Sequence, residues 1–119
     1  YTLNKLYDRY GIPLMIVENG FGASDVVQED GQIHDTDRID YLRAHIAEME
    51  KAIREGVPLI GYLLWAPIDI ISSSTGEMKK RYGLIYVDKQ DDGSGTLARM
   101  KKNSFYWYQK VIATNGDTL

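Results

Sequence analysis

The chain has 119 residues, 44% of them apolar and 26% charged, with a net charge of −3. That composition belongs to a folded globular segment and excludes a disordered tail, a collagen-like repeat and a coiled coil. The acidic balance argues against nucleic-acid binding, no apolar run approaches the ~20 residues that cross a bilayer, and the absence of cysteine leaves neither a disulfide framework nor a thiolate metal site, a usage compatible with the cytosol.

Tyr1-Thr2-Leu3-Asn4-Lys5 contains no Met and no apolar signal core; the chain enters directly on a helical pattern, as a piece cut from a longer one would. Leu3, Leu6, Tyr7 and Tyr10 share one face of a short helix over Thr2–Tyr10, which Gly11 stops and Pro13 keeps from continuing. Leu14-Met15-Ile16-Val17 is an apolar run too short for a helix and reads as a strand buried on both faces. It ends at Glu18-Asn19-Gly20, and a polar loop follows to about His34. Ile39, Leu42, Ile46, Met49 and Ile53 form a stripe that predicts a helix over Asp35–Glu55, with Asp35 or Asp37 as its cap and Gly56 and Pro58 as its end.

Leu59 to Trp65 repeats the buried-strand signal. A loop over Ala66–Arg81 centres on Ser72-Ser73-Ser74-Thr75-Gly76, Leu84–Val87 predicts a third short strand, Asp91–Gly95 a turn, and Asn103–Thr114 a last helix. The order is α/β, with alternating elements and doubly buried strands of the parallel kind. Two strands bury little, so the pattern fits the end of a barrel or doubly wound sheet. In a (β/α)₈ TIM barrel the working groups stand at the carboxyl ends of the strands, and two places fit: Glu18, after Val17, and Trp65 with the loop behind it. A carboxylate closing a buried strand is unusual. Position alone leaves two readings of Glu18, a catalytic or ligating group at a barrel mouth or a strand end that meets solvent.

Four segments bear on that choice. Ile16-Val17-Glu18-Asn19-Gly20 resembles the nucleophile segment of glycoside hydrolase family 1. Trp65-Ala66-Pro67-Ile68-Asp69 resembles the tryptophan segment after that family's last barrel strand. Arg81 to Asp88 resembles its R-(F/Y)-G-L-x-x-V-D segment, and Lys102 to Tyr108 the K-x-S-x-x-W-Y start of its closing helix. The order and spacing agree over nearly the whole chain. The resemblance implies the C-terminal part of a (β/α)₈ TIM barrel, with residues 1–119 a segment of a single glycosidase barrel domain that contains its last two barrel strands, their helices and a short extra strand.

It further implies that Glu18 is the nucleophile of a retaining glycosidase and that Trp65 lines the pocket for the reacting sugar. The family's acid/base Glu lies in an Asn-Glu-Pro segment, and no Asn-Glu-Pro occurs here, so this chain alone is expected to be inactive. Where family members acting on plain sugars carry Glu-Trp, this sequence has Ser72-Ser73. Serine followed by Lys80-x-Tyr82 resembles the phosphate-binding set of the 6-phospho-β-glycosidase branch, with Ser74, by its spacing to Lys80, and Ser72 as the implied serines.

The expected activity is hydrolysis of 6-phospho-β-glucosides delivered by a sugar-importing phosphotransferase system, hence cytoplasmic. The rivals are a β-glucosidase or 6-phospho-β-galactosidase of the same family and a non-catalytic phospho-sugar-binding fragment. Neither metal nor organic cofactor is implied, and His34 and His45 have no partner at ligand spacing. The expected partners are the phosphorylated substrate and the rest of the barrel, with association into a homo-oligomer through open strand edges as a further expectation. Asp69 and Arg81 are read as structural, and the aromatic run Phe105 to Tyr108 as packing.

Overall fold

The computed structural model describes residues Tyr1–Leu119. Helix α1 (Thr2–Tyr10) stops where Gly11 turns left-handed at φ 62° and gives its N–H to the Tyr7 carbonyl. Strand β1 (Leu14–Asn19), helix α2 (Thr36–Arg54) and strand β2 (Leu59–Leu64) make a βαβ unit whose strands pair in parallel, Leu14 beside Leu59 and Asn19 beside Leu64. Strands β3 (Ile85–Val87) and β4 (Arg99–Lys101) form an antiparallel hairpin, and α3 (Asn103–Ala113) packs on α2.

Several details differ from the sequence expectation. β1 runs on through Glu18 and Asn19, so the carboxylate belongs to the strand itself. β4 was not foreseen, because three residues reading Arg-Met-Lys give no periodic signal. The buried side of α2 is Arg38, Leu42, Met49 and Ala52, rotated from the predicted apolar stripe and with a charged residue at its head. Asp35 makes no side-chain cap on α2. Its carboxylate instead accepts the Ser104 N–H at 2.9 Å and the Ser104 hydroxyl, which satisfies an orphan amide in the first turn of α3 and places an anion at its positive end.

The strands are not buried on both faces. Met15 (46% exposed), Val17 (69%), Ile60 (70%) and Leu63 (48%) stand open, since a parallel pair with helices on one side offers no layer for the other. The radius of gyration is 16.3 Å, against about 13.5 Å for a compact domain of this length, and the extents of 49 × 30 × 17 Å are those of a slab.

Register along the strands decides where Glu18 points. Ile16 pairs with Tyr62 and Asn19 with Leu64, three steps on β1 against two on β2. The extra residue is a β-bulge at Val17–Glu18, and both side chains are exposed in succession where strict alternation would bury one. The bulge thus turns Glu18 toward the open side at the carboxyl end of the sheet.

Candidate active site

Glu18 lines a cavity of about 230 Å³ together with Gly20, Trp65, Ser73 and Tyr82. The two strand ends are stapled by the Trp65 N–H, which donates to the Asn19 carbonyl at 2.7 Å. Gly20 makes the close approach feasible: a Cβ there would lie 1.7 Å from the Trp65 carbonyl oxygen. Asn19 is fixed from both sides, accepting from the Tyr62 hydroxyl at 2.8 Å and donating to Tyr41 at 3.1 Å, while burial pushes the Tyr62 phenol well above the ordinary tyrosine range. Trp65 begins a cis peptide bond with Ala66. Glu18 itself accepts no hydrogen bond from this chain. Larger hollows, of about 640 Å³ against α2 and β2 and 470 Å³ among α1, β1 and α2, contain neither Glu18 nor Lys80.

The serine loop closes on itself, with the Ser72 N–H donating to the Glu77 carbonyl at 2.9 Å and the Gly76 N–H to the Ser72 carbonyl at 2.8 Å. Ser72 is buried, and its hydroxyl stands 3.2 Å from that of Ser74. Lys80 Nζ is 5.6 Å from the centroid of the Tyr82 ring, and both side chains pack over Gly22, where a Cβ would meet Tyr82 at 2.8 Å and Lys80 at 3.0 Å. The Ser72 hydroxyl, and after it the Lys80 ammonium, hold the Tyr82 phenol below its ordinary pKa.

Of the residues singled out in the sequence, Glu18, Trp65 and Tyr82 share the cavity wall. Ser73 is the serine on that wall; Ser72 stands behind it beside the phenol, Ser74 touches Ser72, and Lys80 flanks Tyr82. Phe21 packs on Tyr41, ring centroids 5.2 Å apart. His34 lies 2.8 Å from both Asp30 and Asn103, and His45 lies 2.8 Å from the Tyr41 carbonyl.

Sequence reasoning read Asp69 and Arg81 as structural, as they are, but missed the rest of the framework under these loops. Lys102, wholly buried, pairs with Asp25 at 2.5 Å and Asp69 at 2.7 Å. Arg38 pairs with Asp25 at 2.9 Å and Asp35 at 2.5 Å, and also donates to the Arg81 carbonyl at 2.9 Å. Burial disfavours the Arg38 charge, but the two carboxylates outweigh it and its pKa is raised. Arg81 reaches Asp69 at 3.2 Å and the Val87 carbonyl at 2.8 Å, and Asp69 accepts the Gly83 N–H at 2.9 Å. Ala23 and Arg81 exchange both backbone bonds, so the loop after Glu18 is laced to the segment holding Lys80 and Tyr82. One signal was available: Arg38 precedes Leu42 by four residues, on the side of α2 that continues through Met49, and a charge there demands a buried partner.

A parallel strand pair whose polar groups gather at the carboxyl ends, with loops leading on from them, fits the C-terminal rim of an α/β barrel. Residues 1–117 match the profile of glycosyl hydrolase family 1, and the chain belongs to that family. It is 60% identical over 120 residues to the aryl-phospho-β-D-glucosidase BglA of Bacillus subtilis, covering 100% of this chain and 25% of that protein. It is 56% identical over 118 residues to the 6-phospho-β-glucosidase AscB of Escherichia coli, covering 99% and 25%. The family 1 β-glucosidase from Thermotoga maritima superposes with a TM-score of 0.87 at 45% identity, over 97% of this chain and 25% of that one. The chain therefore spans about a quarter of the length of the curated relatives it matches.

Proposed function

We propose that the full-length protein hydrolyses 6-phospho-β-D-glucosides with retention of configuration, giving glucose 6-phosphate and an aglycone, and that residues 1–119 are the C-terminal segment of its single barrel domain. The observation that carries this reading is the wall of the Glu18 cavity. Ser73 and Tyr82 stand on it with Ser72 and Lys80 against Tyr82, and Glu18 is its only acid. In this reading Glu18 attacks the anomeric carbon while a second carboxyl, about 5–5.5 Å away, protonates the leaving oxygen. Water then attacks the glycosyl-enzyme, and the second carboxyl, now a carboxylate, takes its proton. That second group comes from the remaining three quarters of the protein, so this chain alone does not turn over. Trp65 shapes the sugar pocket.

Specificity follows from charge. A sugar phosphate carries nearly two negative charges near neutral pH. A carboxylate ~4 Å from even one such charge costs roughly 1 kcal/mol in water and about 4 at an effective protein dielectric of 20. A serine in place of the carboxylate avoids that repulsion, and the Ser73 hydroxyl and Tyr82 phenol on the wall, with the Lys80 ammonium beside Tyr82 and Ser72 and Ser74 behind, supply donors and a cation. The names of the relatives at 56% identity and above support the same substrate class. A phosphorylated substrate of this kind is met in the cytoplasm, where imported sugars are released as phosphates.

The test is kinetics of the full-length enzyme on 4-nitrophenyl β-D-glucoside and its 6-phosphate. A strong preference for the phosphate in kcat/KM is expected; equal turnover of the plain glucoside would make the protein a β-glucosidase, and preference for the 6-phosphogalactoside would move it to the neighbouring branch.

A further inference from the structure

We propose that Asp91 is a positioning residue for the phosphate end of the substrate, fixing Lys80 from a turn that never reaches the sugar; this rests on the reading of Lys80 given above. A flexible lysine aims its charge only as well as its backbone is held. On its C-terminal side Lys80 is followed by Arg81, whose backbone pairs with Ala23 and whose side chain is buried among Asp69, Val87 and Tyr86. On its N-terminal side the serine loop's backbone bonds run between Ser72, Gly76 and Glu77, Met78 is buried, and Lys79 pairs with Glu77 at the surface. The backbone just before Lys80 is held from outside the loop by the Asp91 carboxylate. Its Oδ1 accepts the N–H groups of Met78 at 2.5 Å and Lys79 at 3.2 Å, two consecutive amides immediately before Lys80.

Asp91 is itself well based. It opens the turn between β3 and β4, which is closed by the Gln90 N–H to the Ser94 carbonyl at 2.9 Å and the Gly93 N–H to the Gln90 carbonyl at 3.1 Å. The adjacent Asp92 provides the contrast. Its carboxylate is spent inside the turn, on the Ser94 N–H at 2.9 Å and hydroxyl at 2.6 Å. Two acids side by side thus do different things: one shapes its own turn and the other reaches across to the lysine loop. A carboxylate on backbone amides is a charge-assisted bond, and Asp91 does not line the cavity of Glu18 and Trp65. Asp91 therefore acts on binding of the phosphoryl group and leaves bond cleavage alone.

The experiment uses the full-length enzyme with Asp91→Ala, Asp91→Asn and Asp92→Ala, assayed on 4-nitrophenyl β-D-glucoside 6-phosphate and on the plain glucoside. Asp91→Ala is expected to raise KM for the phosphate roughly fivefold, equivalent to about 1 kcal/mol, with kcat held within about twofold. Asp91→Asn retains an acceptor oxygen and recovers most of the loss, and Asp92→Ala behaves as the parent. An unchanged KM in Asp91→Ala, an equal change on both substrates, or an Asn variant as impaired as the Ala variant overturns the proposal. A parent enzyme indifferent to the phosphate would sink the substrate reading instead, whereas a phosphate-preferring parent with an insensitive Asp91→Ala sinks this inference alone.

Discussion

Six charged side chains close the loop end of this chain on itself, whereas four apolar ones leave a face of its two parallel strands open. Asp25, Asp35, Arg38, Asp69, Arg81 and Lys102 form a continuous run of ion pairs, three of each sign, almost free of solvent. Met15, Val17, Ile60 and Leu63 remain between 46% and 70% exposed. The loops that carry the proposed phosphate groups are therefore set by contacts internal to this segment. The strands that carry Glu18 and Trp65 are set only on one side and need a layer from elsewhere in the protein. On the proposed function, this segment would encode specificity locally but not the framing of the catalytic group.

Glu18 lies at the seam between these regions and leans on neither, since it accepts no hydrogen bond from the chain. Glu18→Gln should thus separate activity from stability. In the full-length enzyme, turnover of the phosphorylated aryl glucoside is expected to fall by at least about 10³-fold, roughly 4 kcal/mol of barrier, with an unchanged denaturation midpoint. Retained turnover would remove Glu18 as the nucleophile.

Lys102→Met attacks the closed region directly. It leaves Asp25 and Asp69 buried beside one another's loops without their shared ammonium, and breaking a buried pair in this way costs about 3–5 kcal/mol. Guanidinium unfolding of the full-length protein reads the loss. A change below about 1 kcal/mol would place the pairs with weak surface bridges and dissolve the contrast. Ile60→Ala probes the open face. If the rest of the protein covers that face, the substitution costs roughly 2 kcal/mol or more in the full-length protein; a neutral result would mean that the face stays exposed there too.

The same contrast explains what was legible beforehand. Apolar runs such as Leu14–Val17 and Leu59–Leu64 announce strands because burial is written into consecutive residues, and Gly11 and Gly56 mark helix ends locally. The residue types at the strand ends, Glu18 and Trp65, could be read in the same way. The bulge that aims Glu18 could not, because it is a mismatch between two strands whose partners lie 45 or 46 residues apart. Beyond Asp69 and Arg81, the ionic run was invisible for a related reason: Asp25 and Lys102 are 77 residues apart, and Asp35 and Ser104 are 69 apart, so no window contains both partners. The true buried side of α2 begins with Arg38, a charge that an apolar template counts as surface. Ser73, not its neighbours, lies on the cavity wall because the loop's internal hydrogen bonds turn Ser72 inward, a matter of loop geometry that spacing to Lys80 does not encode.

The finest probe concerns the phenol at the join of loop and cavity. Tyr82 is held below the ordinary tyrosine pKa first by the Ser72 hydroxyl and second by the Lys80 ammonium. A depressed folded pKa means that the phenolate, not the phenol, is favoured by folding. The linked stability is complete only above the unfolded value near pH 10 and fades as pH falls through the folded pKa of Tyr82, so it contributes nothing at neutral pH. Ser72→Ala should return the Tyr82 titration toward the ordinary value, and by more than Lys80→Met does. With nine tyrosines in the chain, the measurement is the phenolate absorbance of each variant minus that of the same variant carrying Tyr82→Phe. A larger effect from Lys80→Met would make the ammonium the dominant neighbour of the phenol. No effect from either would mean that Ser72, Lys80 and Tyr82 do not act as one group, and the locally encoded half of the site would lose its unity.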